Sequence, residues 1–477
     1  MTLRDHKTKI VATIGPACDS PETLEAMIQA GMDVARLNFS HGDFESHGRT
    51  IGRLRAAARA AGRRLAVLAD LPGPKIRIGL LAGEAITLQA GGEFTLSTEE
   101  ITGDARRASV SFGGLPKVAR PGDILFLNDG LIELEVVTVA DHDVTCRVRV
   151  GGELRSRKGL NLPGIELGIP AFTERDRECL SFALAEGVDV ISQSFVESSE
   201  DIAAVREAAL GMGHQPFVVA KLERARALDR IDEILDVADA VMIGRGDLGV
   251  EVAIERIAVV QKEIARKANL AGKPVITATQ MLESMTRSRR PTRAEATDVA
   301  NAILDGTDAV MLSEESATGA FPVDAVSMLS GIAAAIEPHR PKGRIRGMLG
   351  CAGQKGPMRV RDVIASSVDS TLERASPAVV VVPTDSGATA RSVARFRPPV
   401  WIVAVSTREE TCRRLQLSWG VHALHVAGYP EDWKTFARAW LRENGLEGNR
   451  VVLTEGPSPK HPEANHRMEI IDLDAED

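Results

Sequence analysis

The sequence predicts an α/β protein built on a (β/α)8 barrel, the TIM-barrel arrangement. A small β insert interrupts the barrel and a second α/β unit follows it. Three observations carry this reading. Eight apolar runs, at residues 9–14, 33–37, 65–69, 188–192, 217–221, 240–243, 274–277 and 309–312, are mostly separated by helical patterns. That is the count for a closed barrel. The runs at 217–220 and 240–243 are uniformly apolar rather than alternating, as parallel strands buried on both faces are. Between residues 79 and 167 the grain changes to alternation, as in Leu131-Ile-Glu-Leu-Glu-Val136, which reads as a small all-β domain.

The helical patterns fall at 21–30, 45–61, 200–210, 254–270 and 294–304. Thr292 and Glu295, after Pro291, form a capping box that satisfies free backbone N–H groups. The basic run at 287–293 reads as a solvated loop. After Asp70 the expected helix is delayed to about Thr173, and the interval is the insert, with turns at Gly91-Gly92, Pro121-Gly122, Asp129-Gly130 and Gly151-Gly152. An insert after a barrel strand lands on the carboxyl-end face, where barrel active sites lie, so it is placed to act as a lid. Residues 338–357, rich in Gly, Pro and Arg, read as a linker. A smaller α/β unit follows, with a helix near 360–374 and strands at 378–382, 401–405 and 421–426. The division is then 1–78 with 168–340 for the barrel, 79–167 for the lid and 341–477 for the last domain.

Composition narrows the function. The chain has 477 residues and a net charge of −8, which gives no electrostatic reason to expect nucleic acid or an anionic membrane as partner. No apolar segment reaches the ~18 residues a membrane helix needs. The amino terminus, MTLRDHKTK, leads into only a short apolar run, so no signal peptide is expected. Five cysteines scattered singly argue against a disulfide framework and for a reducing cytoplasm.

The chemistry gathers where strands end. One strand closes on Lys221-Leu222-Glu223, whose first and third side chains share a face. The next closes on Arg245-Gly246-Asp247. Two carboxylates beside a lysine suit Mg²⁺, which is usually held by one or two carboxylates plus substrate phosphate. A structural ion-pair cluster is the plainer alternative. Other strand ends add Arg36, Asn38, Ser40, His41, Asp70, Ser192, Gln193, Ser194 and Thr279, and Arg77 follows the loop after Asp70. Three cations around two acids describe a site for a phosphorylated, carboxylated small molecule. Phosphoryl transfer needs mainly positioning and charge stabilisation.

The stretches TKIVATIGPA, GMDVARLNFSHG, GPKIR, LNDGLIELEV, KGLNLPG, AKLE, GRGDLGVE, VITATQMLESM, RPTRAEATDVANAILDGTDAVMLS and SGATAR resemble those of the pyruvate kinase family, in order and over nearly the whole chain. The resemblance implies a TIM barrel with a small β-barrel lid and a carboxyl-terminal α/β domain, assembled as a homotetramer. It implies the glycolytic transfer of a phosphoryl group from phosphoenolpyruvate to ADP, giving pyruvate and ATP. Glu223 and Asp247 would hold Mg²⁺, with Mn²⁺ as a substitute. Lys221 would steady the phosphoryl group in flight, Arg36 would contact substrate, and Arg77 would contact phosphoryl and ADP. Gly246 would offer its N–H to the substrate carboxylate, and Thr279 would lie beside the carbon to be protonated. Asn38, His41 and Lys158 would face the nucleotide. The monovalent-cation position would fall at Asn38, Ser40 and Asp70.

Two departures bear on that last position. Potassium-requiring members carry an acid where this chain has Lys75 and a threonine where it has Leu71. An ammonium there can stand where potassium would sit, so no K⁺ requirement is expected. Near Glu315, Glu314 adds a charge with no account from sequence, and Ala220 and Arg224 replace more usual polar partners around the lysine. In the last domain Thr384, Ser386, Gly387 and Thr389 form a strand-to-helix turn that in the family helps bind a phosphorylated effector. The family's second, glycine-rich effector loop is not evident at 456–468, so a sugar monophosphate or AMP is expected rather than fructose 1,6-bisphosphate. Two other readings stand beside the kinase. One is a barrel lyase forming a Schiff base on Lys221, disfavoured because Glu223 and Asp247 should keep that lysine protonated. The other is a non-catalytic effector-binding paralogue, which should have lost at least one of the site residues.

Overall fold

A computed structural model describes residues 3–341, 343–351, 358–457 and 466–475. The eight barrel strands are Lys9–Thr13, Val34–Asn38, Ala66–Asp70, Val190–Gln193, Phe217–Leu222, Ala240–Gly244, Val275–Ala278 and Ala309–Leu312. They close into one parallel barrel in sequential order. Each runs within a residue or two of its predicted span. Side chains pointing inward, among them Val11, Leu68, Phe217, Val219, Met242 and Ile276, fill the interior, and Leu417 from the last domain joins them.

The amino-terminal ends of the strands share a device that sequence reading missed. Strands two, four, six and eight are each preceded by an aspartate: Asp33, Asp189, Asp239 and Asp308. Each accepts a backbone N–H from the strand before it, at Ile10 (3.0 Å), Val67 (2.8 Å), Val218 (2.9 Å) and Val275 (3.0 Å). The alternate strands are thereby pinned in register at the face away from the site. Two of the four also dock the last domain. Asp189 takes Arg413 at 2.5 Å, and Asp308 takes Arg397 at 2.6 Å and the Trp419 N–H at 3.0 Å.

The insert is an all-β unit with its own core, including Phe94, Leu96, Leu125, Leu134 and Cys146. It comprises a six-stranded sheet and a two-stranded one. Along Ile132–Val139 the residues from Ile132 to Val136 alternate buried with half-buried, as their apolar–polar pattern requires. One carboxylate ties its two ends together. Asp176 accepts Gly73 N–H at 2.9 Å on the way out, and the Thr173 N–H at 2.8 Å and hydroxyl at 2.6 Å on the way back. Thr173 is also the cap of the resuming barrel helix, Glu174–Ala185.

The last domain is a five-stranded sheet in the order Val421–His425, Trp401–Ser406, Val379–Pro383, Arg450–Glu455, Arg467–Asp472, with only the final pair antiparallel. The closing pair was not foreseen. The stretch read as a linker holds a helix, Arg344–Cys351, whose Ile345 and Leu349 enter the domain core. Its Gly, Pro and Arg density hid the i, i+4 pair of apolar residues. Of the span 456–468, where no second, glycine-rich effector loop is expected, residues 458–465 lie outside the described residues. No helix among the described residues is long and apolar enough to cross a membrane.

Candidate active site

Strand register brings the predicted residues to one end of the barrel. Arg36 lies beside Thr13, Asn38 beside Asp70, Asp70 beside Ser192, and Lys221 beside Met242. A cavity of about 180 Å³ opens there. Arg36, Asn38, Ser40, His41, Lys75, Arg77, Lys221, Glu223, Asp247 and Thr279 all line it, with Ser194 and Phe195. Asp70 lies just beneath, 1% exposed. Gly246 lies against Thr279, so close that a Cβ on it would stand 2.9 Å from Thr279 Cγ2. Lys158 does not line the cavity; it sits on the lid, where its carbonyl accepts Ile78 N–H at 2.9 Å.

Charge is concentrated and paired. Asp70 Oδ2 accepts Arg36 Nε at 2.8 Å and Nη2 at 2.6 Å, and Lys221 Nζ at 3.2 Å. Lys221 also stands 3.0 Å from Glu223 Oε1 and donates to Ser194 Oγ at 2.7 Å. Burial would lower the pKa of Lys221, but the charges of Asp70 and Glu223 outweigh it and raise it. That ammonium stays protonated, which removes the lone pair a Schiff base requires. Burial raises the Glu223 pKa against the Lys221 charge, and the negative charge of Asp247 adds to the rise. Burial would also raise Asp247, but Lys75 holds it below the usual carboxylate range.

Two backbone features shape the site. Phe195 sits at φ 56° and Thr279 at φ 73°, the left-handed region that side chains with a Cβ seldom occupy. Each is braced. The Phe195 N–H donates to Glu223 Oε2 at 3.0 Å, and Arg245 donates to the Thr279 carbonyl at 2.8 Å. Glu315 accepts the N–H groups of Leu282 (3.0 Å) and Ser313 (2.7 Å), fixing the loop beyond Thr279. Glu314 is exposed in the first turn of a short helix, and nothing in the structure explains its charge.

Lys75 differs from its expected place. Its ammonium lies 3.0 and 3.1 Å from the two oxygens of Asp247 rather than on Asn38, Ser40 and Asp70. Asp247 is the nearer uncompensated carboxylate, because Asp70 already has Arg36 and Lys221. Asp70 Oδ1 is buried without a hydrogen-bond partner. Asn161, from the insert, reaches the same Asp247 at 3.4 Å; it lies within the KGLNLPG stretch but is not among the expected site residues. Among the described residues no group of three or more His, Cys, Asp or Glu could hold a metal. Glu223 and Asp247 both line the cavity, which fits a divalent ion taking two carboxylates and completing its shell with substrate oxygens. The mutual repulsion of Glu223 and Asp247, offset by two ammonium groups, matches that ion.

In the last domain Thr384, Ser386 and Thr389 line a separate cavity of about 710 Å³ with Arg359, Arg361 and His466. Gly387, at φ 79°, turns the chain, and its N–H is taken by Thr384 Oγ1 at 3.0 Å.

A closed parallel barrel with cations and two carboxylates at its carboxyl end, beside a β insert, fits the class of phosphotransferases. The comparisons narrow the class. A family model for the pyruvate kinase barrel domain matches residues 5–326, and one for the pyruvate kinase alpha/beta domain matches 362–471. The chain is 47% identical over 425 residues to a pyruvate kinase of Thermococcus litoralis, covering 88% of this chain and 89% of the relative. It is 43% identical over 460 residues to that of Geobacillus stearothermophilus, covering 94% and 78%. A crystal structure of a pyruvate kinase from Cryptosporidium parvum superposes with a TM-score of 0.91 at 35% identity, covering 98% of this chain and 96% of that one. The chain belongs to the pyruvate kinase family.

Proposed function

We propose that the chain transfers the phosphoryl group of phosphoenolpyruvate to ADP, giving pyruvate and ATP, with a divalent ion held by Glu223 and Asp247. The observation that carries this is the opening of Arg36, Arg77, Lys221, Glu223, Asp247 and Thr279 onto one cavity. When bound, Mg²⁺ supplies positive charge to the phosphate and carboxylate oxygens of the substrate. Lys221 then donates to the phosphoryl oxygens as charge builds on them. Arg36 and Arg77 hold the phosphoryl group between its two owners, and Gly246 offers a free N–H at the start of the helix Arg245–Glu251 to the carboxylate. Thr279 places its hydroxyl beside the carbon that gains a proton. Asn38 and His41 line the side of the cavity read as the nucleotide's, and Lys158, outside that lining, would meet the nucleotide only after the insert closes on the barrel. None of the residues that a non-catalytic paralogue would lose is missing.

Potassium independence belongs to the same reading. Lys75 brings a fixed positive charge into the cavity, and Leu71 supplies no hydroxyl for a monovalent ion. One coupled assay tests both parts. Pyruvate should form from phosphoenolpyruvate and ADP only when Mg²⁺ or Mn²⁺ is present. In buffer free of sodium and potassium, added K⁺ should leave the rate nearly unchanged. No turnover with Mg²⁺ would reject the reaction, and a rise above roughly tenfold, about 1.4 kcal/mol in the barrier, would reject potassium independence alone.

The cavity of the last domain is read as an effector site for a sugar monophosphate or AMP, supported by its hydroxyls beside Arg359, Arg361 and His466. Titrating these compounds should shift the phosphoenolpyruvate saturation curve; an unmoved curve would remove the effector.

A further inference from the structure

Resting on the proposed reaction, we infer that Arg224 is a positioning residue that locks both metal-binding carboxylates through one buried guanidinium.

Arg224 follows Glu223 directly and is 7% exposed. Its guanidinium lies 5.4 Å from the centre of the Phe195 ring, within the range of a cation–π contact. Phe195 is the residue whose left-handed backbone aims an N–H at Glu223 Oε2. Leaving φ near 56° would turn that N–H away from the carboxylate. Pressing on the ring therefore holds the conformation that orients the first carboxylate.

The same guanidinium acts on the second, Asp247, through Glu251. Its Nη1 stands 3.4 Å from Glu251 Oε1, and Glu251 Oε2 accepts the Ala225 N–H at 3.4 Å. Glu251 ends the helix Arg245–Glu251, four residues after Asp247, so both side chains lie on one face. Pulling Glu251 toward Arg224 fixes the rotation of that short helix, and with it the direction of Asp247. Glu197 completes the charge balance, 3.9 Å from Arg224 Nε. Arg224 touches no reacting atom. It joins the loop bearing Ser194 and Phe195, the end of the fifth barrel strand and the helix bearing Gly246 and Asp247.

The test is Mn²⁺ affinity of the full chain, read by electron paramagnetic resonance without substrate, beside kcat and KM for ADP. Arg224→Met should weaken Mn²⁺ binding and lower kcat by about 10- to 100-fold, as loss of a group orienting a metal ligand does, with the KM for ADP within about threefold. Arg224→Lys keeps the charge but not the planar face and should fall between. Glu251→Gln should weaken Mn²⁺ binding in the same direction, and it carries the test if Arg224→Met does not fold. A folded variant that binds Mn²⁺ as tightly as the parent, whatever its activity, overturns the inference. A parent that binds no Mn²⁺ overturns the assignment of the ion to Glu223 and Asp247, and this inference with it, while the coupled assay reads the reaction separately.

Discussion

Lys221→Met is expected to lower the rate of pyruvate formation by about a thousandfold, the upper range for removing one donor to a developing oxyanion. The KM for phosphoenolpyruvate should move only a few-fold, because Arg36 and the ion still hold the ground state. Lys221 Nζ lies between Asp70, Glu223 and the cavity. Methionine keeps the length and loses the charge. The substitution also strips a partner from two buried acids. Removing one member of a buried pair costs about 3–5 kcal/mol, moderated here because Arg36 remains on Asp70 at 2.6 Å. The thermal midpoint should therefore fall, yet the chain should stay folded at 25 °C. Steady-state kinetics beside circular dichroism check this. Near-parental kcat in a folded variant would show that the phosphoryl group does not pass Lys221.

Glu223→Gln should be as severe, for a different reason. Glutamine has the same shape and can still accept the Phe195 N–H, so the loop and strand stay in place. What goes is one of the two negative charges for the ion. Mn²⁺ affinity measured by calorimetry is expected to fall at least about a hundredfold, about 2.7 kcal/mol, with turnover falling in parallel. Raising Mn²⁺ should recover part of the rate. Unchanged affinity would place the ion elsewhere.

How much of this could be read from residues alone follows from the physics of each element. The barrel strands were legible because burial on both faces demands apolar runs, and their polar ends stand out against them. Lys221, Glu223 and Asp247 were legible because two neighbouring parallel strands deliver them to the same end. The aspartates beneath the barrel were hidden, since a lone Asp before a strand looks like a turn residue until its carboxylate is seen on the neighbouring backbone. Phe195 was hidden for a related reason: its left-handed backbone leaves no mark in an apolar side chain. Arg224 showed only as an unusual residue beside the site; its reach to Glu251 depends on how a helix packs. Lys75 is expected at the monovalent-cation position of Asn38, Ser40 and Asp70, and the structure instead rests its ammonium on Asp247, a pairing that depends on how the loop after Asp70 folds back. The helix Arg344–Cys351 was lost among glycines and arginines.

The most direct test is anomalous diffraction from crystals soaked with Mn²⁺ and phosphoenolpyruvate. A single manganese peak within coordination distance, about 2.0–2.3 Å, of both Glu223 and Asp247, with Lys221 Nζ hydrogen-bonded to the substrate phosphate, is the result expected. A peak touching neither carboxylate, or a substrate phosphate lodged away from Lys221, would contradict it.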